Sequence, residues 1–224
     1  MCPREVDHAK AAHALDVLTD ADTAVRAPRD ELGEVFTRRW VVELILDLAG
    51  YVPERDLAAA VAVEPAVGEG AFLGPMIDRL VASCAVHGRP LADCQSSLAA
   101  FDVADTNVER ARKLAVTRRV DAGLEVDTAG SLAEHWVHTS DFPLHDHFEP
   151  GTADFVLGNP PYVRLEDVPS HLSAAYRAAC STMRGRSDLC VGFIERGPRY
   201  ALEREHKYGC RMASPGCPWG EQVR

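Results

Sequence analysis

The sequence lacks a CxxC pair, although it contains seven cysteines. Because the count is odd and the cysteines are scattered, we expect reduced, partly buried thiols rather than a disulfide framework or a zinc site. The segment 145–147 places two histidines around an aspartate, but no third ligand stands at a useful spacing. The sequence therefore predicts no metal centre.

The sequence also lacks an apolar run long enough to span a bilayer. Residues 1–15 carry no apolar stretch of the signal-peptide type. We therefore expect a cytoplasmic protein with no membrane partner. The chain has 224 residues, 46% of them hydrophobic, which is enough for one globular domain with a full core.

Positive charge is scarce, because 24 Lys and Arg residues stand against 34 Asp and Glu residues, for a net charge of −10. A phosphate backbone is bound through a positive surface, so this balance opposes non-specific binding to nucleic acid. If the protein acts on nucleic acid, its contacts with the nucleic acid must be local or must be made by another chain or segment.

Short apolar runs alternate with helical patterns along the chain. The runs contain few polar residues, which is typical of parallel strands covered on both faces. The predicted class is therefore α/β with a mostly parallel sheet. The predicted strands cover residues 61–65, 98–103, 135–139 and 154–158, and the predicted helices cover residues 5–18, 38–50, 71–88, 105–119, 173–183 and 188–197.

Polar or turn-forming residues follow all four predicted strands. Glu64 ends the first strand and is followed by Gly68 and Gly70, Asp102 ends the second, and Asp141 follows the third. The fourth strand leads into the segment GNPPYVR. Because ligands of open parallel sheets bind outside the carboxyl ends of the strands, this convergence predicts a ligand site.

Taken singly, the first three strand ends also have plain interpretations, as an ordinary turn or a helix cap. The glycine-rich segment lacks the third glycine of a GxGxxG and the Lys and Ser/Thr of a phosphate loop. Glu64 suits a cationic or hydroxyl-bearing ligand, and Asp102 can accept hydrogen bonds from a ribose diol. Asp141 can accept from an adenine amino group while Phe142 covers a ring face.

The segment GNPPYVR is the most specific signal. Its two prolines end the strand, because each lacks a backbone N–H and fixes its own φ, and they hold Asn159 and Tyr162 in a defined shape. The side-chain carbonyl of Asn159 and the backbone carbonyl of Pro160 can both accept from one exocyclic amino group. Tyr162 offers a stacking surface for a planar base or amide.

GNPPYVR, with VEPAVGEGAFL upstream, resembles the S-adenosylmethionine-dependent adenine methyltransferases of DNA restriction-modification systems, in their gamma order of motifs. GEVFTRRWVVELILDL (33–48) is similar to the family's F-T-P segment, with Arg38 in place of the proline. RSDLCVGFIERG (186–197) is similar to its DLY or DLF segment, with Cys190 in place of the aromatic residue. Ala104 stands where the family often has a second aspartate.

The resemblance implies a Rossmann-like class I methyltransferase fold and S-adenosylmethionine as the cofactor. It implies that Asn159, Pro160 and Pro161 bind the target amino group and that Tyr162 stacks on a flipped base. The cofactor-binding residues that it implies are Phe36 and Thr37 near the cofactor, Glu64, Ala66, Gly68 and Gly70 as its main cradle, Asp102 at the ribose, and Asp141 and Phe142 at the adenine.

The resemblance runs over residues 29–197 and implies a catalytic domain there. It is preceded by a helical segment, 1–28, and followed by an irregular tail, 198–224. The family continues with further strands and a target-recognition region, whereas the tail has no strand pattern. We therefore expect the catalytic domain to be incomplete at its carboxyl end.

The predicted function is methyl transfer from S-adenosylmethionine to the exocyclic amino group of an adenine flipped from duplex DNA, in a restriction-modification system. The resemblance also allows a separate specificity or restriction subunit as a partner. One alternative is a protein glutamine methyltransferase, because a side-chain amide presents a similar planar amine. The other alternative is a remnant without catalytic activity that at most binds the cofactor.

Overall fold

A computed structural model describes residues 37–146 and 149–201. Its sheet has four strands which, numbered in chain order, lie in the spatial order 3-2-1-4, and every neighbouring pair is parallel. The predicted helix over residues 5–18 and most of the predicted tail lie outside the described residues. The strands are β1 (Ala62–Glu64), β2 (Leu98–Asp102), β3 (Val137–Thr139) and β4 (Phe155–Val156), and the α-helices are α1 (Arg39–Ala49), α2 (Leu73–His87), α3 (Asp105–Asp121), α4 (Val126–Trp136), α5 (Ser170–Ala179) and α6 (Leu189–Tyr200).

Both faces of the sheet are covered, as the apolar strands predict. Alternate residues of a strand point to opposite faces. Ala62 and Ala100 accordingly belong to a core cluster shared with α1 to α4, whereas Val63 and Phe101 belong to a second cluster that includes residues of α6. The predicted α/β class with a parallel sheet is therefore confirmed.

The third strand is shorter than predicted. The sequence predicts a strand over residues 135–139, but His135 and Trp136 form the last turn of α4. That helix was missed because Gly130 and its polar neighbours have low helix propensity. Its buried side chains, which include Ala129, Leu132 and Trp136, nevertheless recur at helical spacing, so tertiary packing decides the conformation.

The helix predicted over residues 173–183 starts at Ser170 and ends at Ala179. The prediction is wrong for residues 180–183, where the backbone N–H groups of Ser181 and Thr182 donate to the carboxylate of Glu195 at 3.0 and 2.8 Å. This contact fixes the turn against α6. The predicted domain boundary at residue 197 falls inside α6, which continues to Tyr200.

Candidate functional site

The carboxyl ends of β1 and β4 lie side by side, because β1 pairs with β4 on one side of the described sheet. The chain passes from β1 outward through β2 to β3, and β4 is then added on the other side of β1. A reversal of this kind opens a crevice beyond the strand ends, where open α/β sheets bind ligands. Gly158, which follows β4, comes so near that a Cβ atom on it would lie 3.1 Å from Cδ of Pro65. The structure thus brings Glu64 and the Asn159 segment to one place.

The side-chain amide of Asn159 is held from both ends. Its Nδ2 donates to Oγ1 of Thr37 at 3.2 Å, and its Oδ1 accepts from the hydroxyl of Tyr162 at 3.2 Å. Thr37 stands 122 positions earlier in the sequence, so the F-T segment and the NPPY segment meet in the fold. An amide oxygen has two lone pairs, so Oδ1 can accept a further hydrogen bond. Phe36 lies outside the described residues.

Glu64 is a buried carboxyl group at the end of β1, with a relative exposure of 1%. Burial raises its pKa well above the usual value, and the nearby charge of Asp102 raises it further. The carboxyl group accepts hydrogen bonds from the backbone N–H groups of Phe72 and Leu73, at the start of α2. Its Oε2 atom is buried and has no hydrogen-bond partner among the described residues. An orphaned acceptor of this kind suits a ligand that donates a hydrogen bond.

The glycine-rich turn between β1 and α2 is tied to β2 through Asp102. Oδ2 of Asp102 accepts from the backbone N–H of Gly68 at 2.8 Å, while Oδ1 accepts from Ala104 N at 2.9 Å and from Asn107 Nδ2 at 3.3 Å. Asp102 thus fixes the backbone of the glycine-rich turn at Gly68. Any contact with a ribose, as the sequence predicts, would share a carboxylate that already holds three protein groups. Ala66 is half-buried in the same turn.

Gly70 is closely packed against α3 and has a left-handed backbone conformation. Its φ is +87°, a value that side chains with a Cβ disfavour, and a Cβ there would lie 2.6 Å from Cδ2 of Leu114 on α3. The space beside Gly70 is therefore occupied by Leu114, and the predicted place of Gly70 in the cofactor cradle stays a prediction. Gly68 also has a positive φ, of 50°.

We expect Gly70→Ala to lower the free energy of unfolding by about 2–3 kcal/mol, because it adds both backbone strain and a clash. Gly123→Ala is the matched control, since Gly123 has a φ of +96° with no atom within 4 Å of a Cβ position. The control should lose only about 1 kcal/mol from strain. Urea unfolding of both variants measures the difference. Equal losses would mean that Leu114 gives way and that packing is not the reason for the glycine.

Asp141 is buried just beyond β3, with 5% of its surface exposed. The backbone N–H of Ser140 donates to the carbonyl of Asp102 at 2.8 Å, so this strand end lies beside that of β2. Burial raises the pKa of Asp141 to about 6, although a hydrogen bond from Tyr176 acts to lower it. Oδ2 accepts that bond from the Tyr176 hydroxyl, and Oδ1 is buried with no partner among the described residues. Asp141 is thus a second orphaned acceptor on the same edge of the sheet.

Phe142 is enclosed by other aromatic side chains. Its ring stacks on Phe193 with centroids 5.9 Å apart, meets Tyr200 edge-on at 5.5 Å, and lies 5.9 Å from Phe101. Only 1% of Phe142 is exposed, so its ring anchors the segment that carries Asp141. Its predicted contact with the adenine of a cofactor stays a prediction.

The chain that leaves the NPPY segment is pinned to the start of α6. The backbone N–H of Leu165 donates to the carbonyl of Ser187 at 2.8 Å, and that of Leu189 donates to the carbonyl of Val163 at 2.7 Å. Cys190 follows and is buried. A cleft of about 370 Å³ lies beside this pairing. The residues that line it are Arg164, Glu166, Arg186, Ser187 and Asp188.

Two residues of this region were not among the predicted site residues. Asn107 supports the carboxylate of Asp102, and its place in the first turn of α3 beside an acidic strand end is a usable sequence signal. Tyr176 reaches Asp141 from α5, and nothing in its local sequence marks that long-range contact.

Within residues 37–146 and 149–201, no group of three or more His, Cys, Asp or Glu side chains is placed to hold a metal ion. His147 of the predicted two-histidine segment lies outside these ranges. None of the helices in the same part of the chain is long and apolar enough to cross a membrane.

Residues 93–213 match the Eco57I restriction-modification methylase family. The match therefore extends beyond residue 197, where the predicted resemblance ends. Two curated relatives are the type II methyltransferase M.XhoI of Xanthomonas vasicola, 43% identical over 75% of this chain, and M.PaeR7I of Pseudomonas aeruginosa, 37% identical over 73% of it. The aligned part is 31% of the first relative and 29% of the second, so the chain spans about a third of their length.

A solved structure from Listeria monocytogenes, described as a class I S-adenosylmethionine-dependent methyltransferase, is 16% identical and has a TM-score of 0.47. The similarity covers 88% of this chain and 51% of that one. A modification subunit of a type I restriction enzyme from Vibrio vulnificus is 18% identical, with a TM-score of 0.39, over 75% of this chain and 32% of that one.

Proposed function

The chain belongs to the Eco57I restriction-modification methylase family, and we propose that it binds S-adenosylmethionine beside the Asn159 segment and serves methyl transfer to the exocyclic amino group of adenine in DNA. The observation that carries this proposal is the fixed amide of Asn159, set between Thr37 and Tyr162. Next to it, Glu64 has a buried acceptor atom that no group in the described part of the chain contacts by a hydrogen bond.

The orphaned oxygens of Glu64 and Asp141 support the cofactor assignment. Both lie at the carboxyl edge of the sheet, and both are buried acceptors that a bound ligand would satisfy. Two strand spacings of about 4.8 Å separate β1 from β3, so the two acceptors lie about 10 Å apart along this edge. An extended ligand with an amine or hydroxyl at one end and an aminopurine at the other fits acceptors spread in this way. In this proposal Glu64 holds the hydroxyl or ammonium part and Asp141 the purine.

The Asn159 segment provides the contacts for the amine that is methylated. Because Nδ2 of Asn159 is committed to Thr37, its Oδ1 is turned to accept from an incoming amino group. The carbonyl oxygen of Pro160 is the second acceptor in this proposal, and the half-buried ring of Tyr162 is the stacking surface. Accepting both amine hydrogens in a rigid loop fixes the direction of the nitrogen lone pair. S-adenosylmethionine, when bound, supplies a methyl group already activated by its positive sulfur.

DNA as the substrate is likewise part of the proposal. An adenine must leave the base stack to reach a crevice of this kind, which costs a few kcal/mol of unstacking. The net charge of −10 gives the chain little general affinity for a phosphate backbone. In the longer relatives, the remaining two-thirds of the protein is the natural source of further DNA contacts, and a separate specificity or restriction subunit is another.

The test is a transfer assay with methyl-labelled S-adenosylmethionine and a short duplex that contains an adenine opposite a mismatched base. The mismatch lowers the cost of extruding the adenine, so weak DNA contacts suffice. We expect labelled N6-methyladenine after digestion of the DNA. A folded protein that labels a glutamine-containing peptide instead, or that labels cytosine, would overturn the assignment to adenine.

A further inference from the structure

Asp141 and Tyr176 form a buried pair that joins the sheet edge to α5. The hydroxyl of Tyr176 donates a hydrogen bond to Oδ2 of Asp141. The two groups are 6% and 5% exposed, so water does not compete for this contact. The bond occupies one carboxylate oxygen and leaves Oδ1 as an acceptor without a partner among the described residues.

The packing of α5 is centred on Tyr176. Tyr176 is the one buried residue of this helix, all of which is described. Around its ring pack Leu165, Cys180 and Met183, which belong to the segments on either side of α5. Leu172 and Ala179 of α5 are half-buried against the same cluster, and the hydroxyl of Tyr176 is the group of the helix that reaches Asp141.

The charged neighbours of Asp141 do not replace Tyr176 as a donor. Arg196 approaches from α6, but its Nε donates to the carbonyl of Pro143 at 2.8 Å and its Nη1 to Oδ1 of Asp146 at 2.7 Å. Its charge lowers the pKa of Asp141 from a distance, and the backbone N–H of Leu144 acts in the same direction. Among the described residues, Tyr176 is the one side chain that donates a hydrogen bond to this carboxyl group.

We propose that Tyr176 is a positioning residue that fixes the Asp141 carboxylate so that Oδ1 accepts from the 6-amino group of the cofactor's purine. The inference rests on the proposed binding of S-adenosylmethionine. Because the tyrosine binds Oδ2, Oδ1 is the oxygen left for the ligand. While the carboxyl group is ionised, Oδ1 is a hydrogen-bond acceptor and cannot donate. A purine with a 6-oxo group places a second acceptor opposite Oδ1, so no hydrogen bond forms and binding is weaker. Tyr176 thus sets the preference for an adenosyl over an inosyl ligand.

The test compares the affinities of S-adenosylhomocysteine and S-inosylhomocysteine, measured by calorimetry on the full chain. The wild type should prefer the adenosyl ligand by at least about tenfold, because the wrong base leaves buried acceptors facing each other. Tyr176→Phe keeps the ring and removes the donor. Its preference should fall to less than about threefold, since the freed carboxyl group can turn and bind a proton.

The pH dependence of the affinity for the adenosyl ligand is a second measurement. It would not change if Tyr176 had a purely structural role. Ionised Asp141 accepts from the amino group, so affinity for the adenosyl ligand should weaken as the pH falls through the pKa of about 6. The hydrogen bond from Tyr176 lowers that pKa, so its loss should move the midpoint to higher pH. Tyr51→Phe is the matched control, because it removes another buried hydroxyl, which donates to the carbonyl of Met76 at 3.3 Å. The control should keep the wild-type midpoint and preference.

A second variant covers the case in which Tyr176→Phe does not fold. In Asp141→Asn the tyrosine should still donate to the amide oxygen, which turns the amide N–H₂ toward the purine. The ligand preference should then invert toward the inosyl compound, by about threefold or more. A wild-type preference and midpoint in Tyr176→Phe, or an unchanged preference in Asp141→Asn, would overturn the inference. If the wild type binds neither ligand, the proposed cofactor itself is wrong.

Discussion

Asn159→Ala should lower the rate of methyl transfer at least about 100-fold, as removal of one preorganised hydrogen-bonding group does in other active sites. The change removes the acceptor proposed for the target amine and the group that links Thr37 to Tyr162. Because Asn159 is assigned to the amine and not to the cofactor, affinity for S-adenosylmethionine should change less than about threefold. Single-turnover transfer and calorimetric titration measure the two effects separately.

Asn159→Asp is the control for that prediction. The aspartate keeps an oxygen at the position of Oδ1 and loses the donor that faces Thr37. Transfer should therefore fall by less than in the alanine variant, about tenfold, because the acceptor is kept but is less firmly oriented. If alanine and aspartate at this position both retain the wild-type rate, Asn159 does not orient the amine.

Glu64→Gln should weaken the binding of S-adenosylmethionine by about 10- to 100-fold. The glutamine side chain has nearly the same shape and can still accept from the start of α2 through its oxygen. Its amide nitrogen then takes the place of the orphaned Oε2 and offers a donor where the ligand needs an acceptor. A lost hydrogen bond from the charged ammonium group of the ligand corresponds to about 1.5–3 kcal/mol.

The same substitution should not destabilise the protein without ligand at neutral pH. Burial holds the pKa of Glu64 above its usual value, so the folded state binds this proton more tightly than the unfolded chain does. The carboxyl group then contributes fully to stability below its unfolded pKa, and the contribution is lost as the pH rises through the folded pKa. Glutamine does not titrate, so the variant should lose less stability between about pH 5 and about pH 8.

Urea unfolding at those two pH values checks this prediction. Asp141 has a raised pKa and titrates in the same direction, but it does so in both proteins and cancels in the comparison. The expected combination is weaker cofactor binding with equal or greater stability at the higher pH. A Glu64→Gln protein that loses stability and affinity together would indicate that Glu64 serves the fold and not a ligand.

The sequence was sufficient to predict the parallel sheet and to predict that the carboxyl ends of its strands lie along one edge. Unalternating apolar strands require cover on both faces, and parallel strands place their carboxyl ends on one edge. Glu64 and Asn159 accordingly lie at neighbouring strand ends, and Thr37 contacts Asn159. The neighbouring strand ends follow from topology, which a strand-and-helix pattern can specify, whereas the place of Thr37 near the site was implied only by the family resemblance.

Contacts between side chains of distant elements could not be predicted in the same way. Asp102 ends its strand as predicted, but the sequence does not show that its carboxylate is bound to Gly68, Ala104 and Asn107. Tyr176 lies 35 positions from Asp141, and only the folding of α5 onto the sheet edge brings them together. Such pairs depend on packing geometry, to which the periodicity of a sequence is insensitive.

The most direct test of the proposed site is a calorimetric titration of the purified chain with S-adenosylmethionine. We expect saturable binding of one ligand per chain, and its loss in Gly68→Asp, which places a second carboxylate beside Asp102 in the turn. Circular dichroism of both proteins would establish that they are folded. No binding by the folded wild-type chain, or equal binding by the Gly68→Asp variant, would contradict the assignment of this crevice to the cofactor.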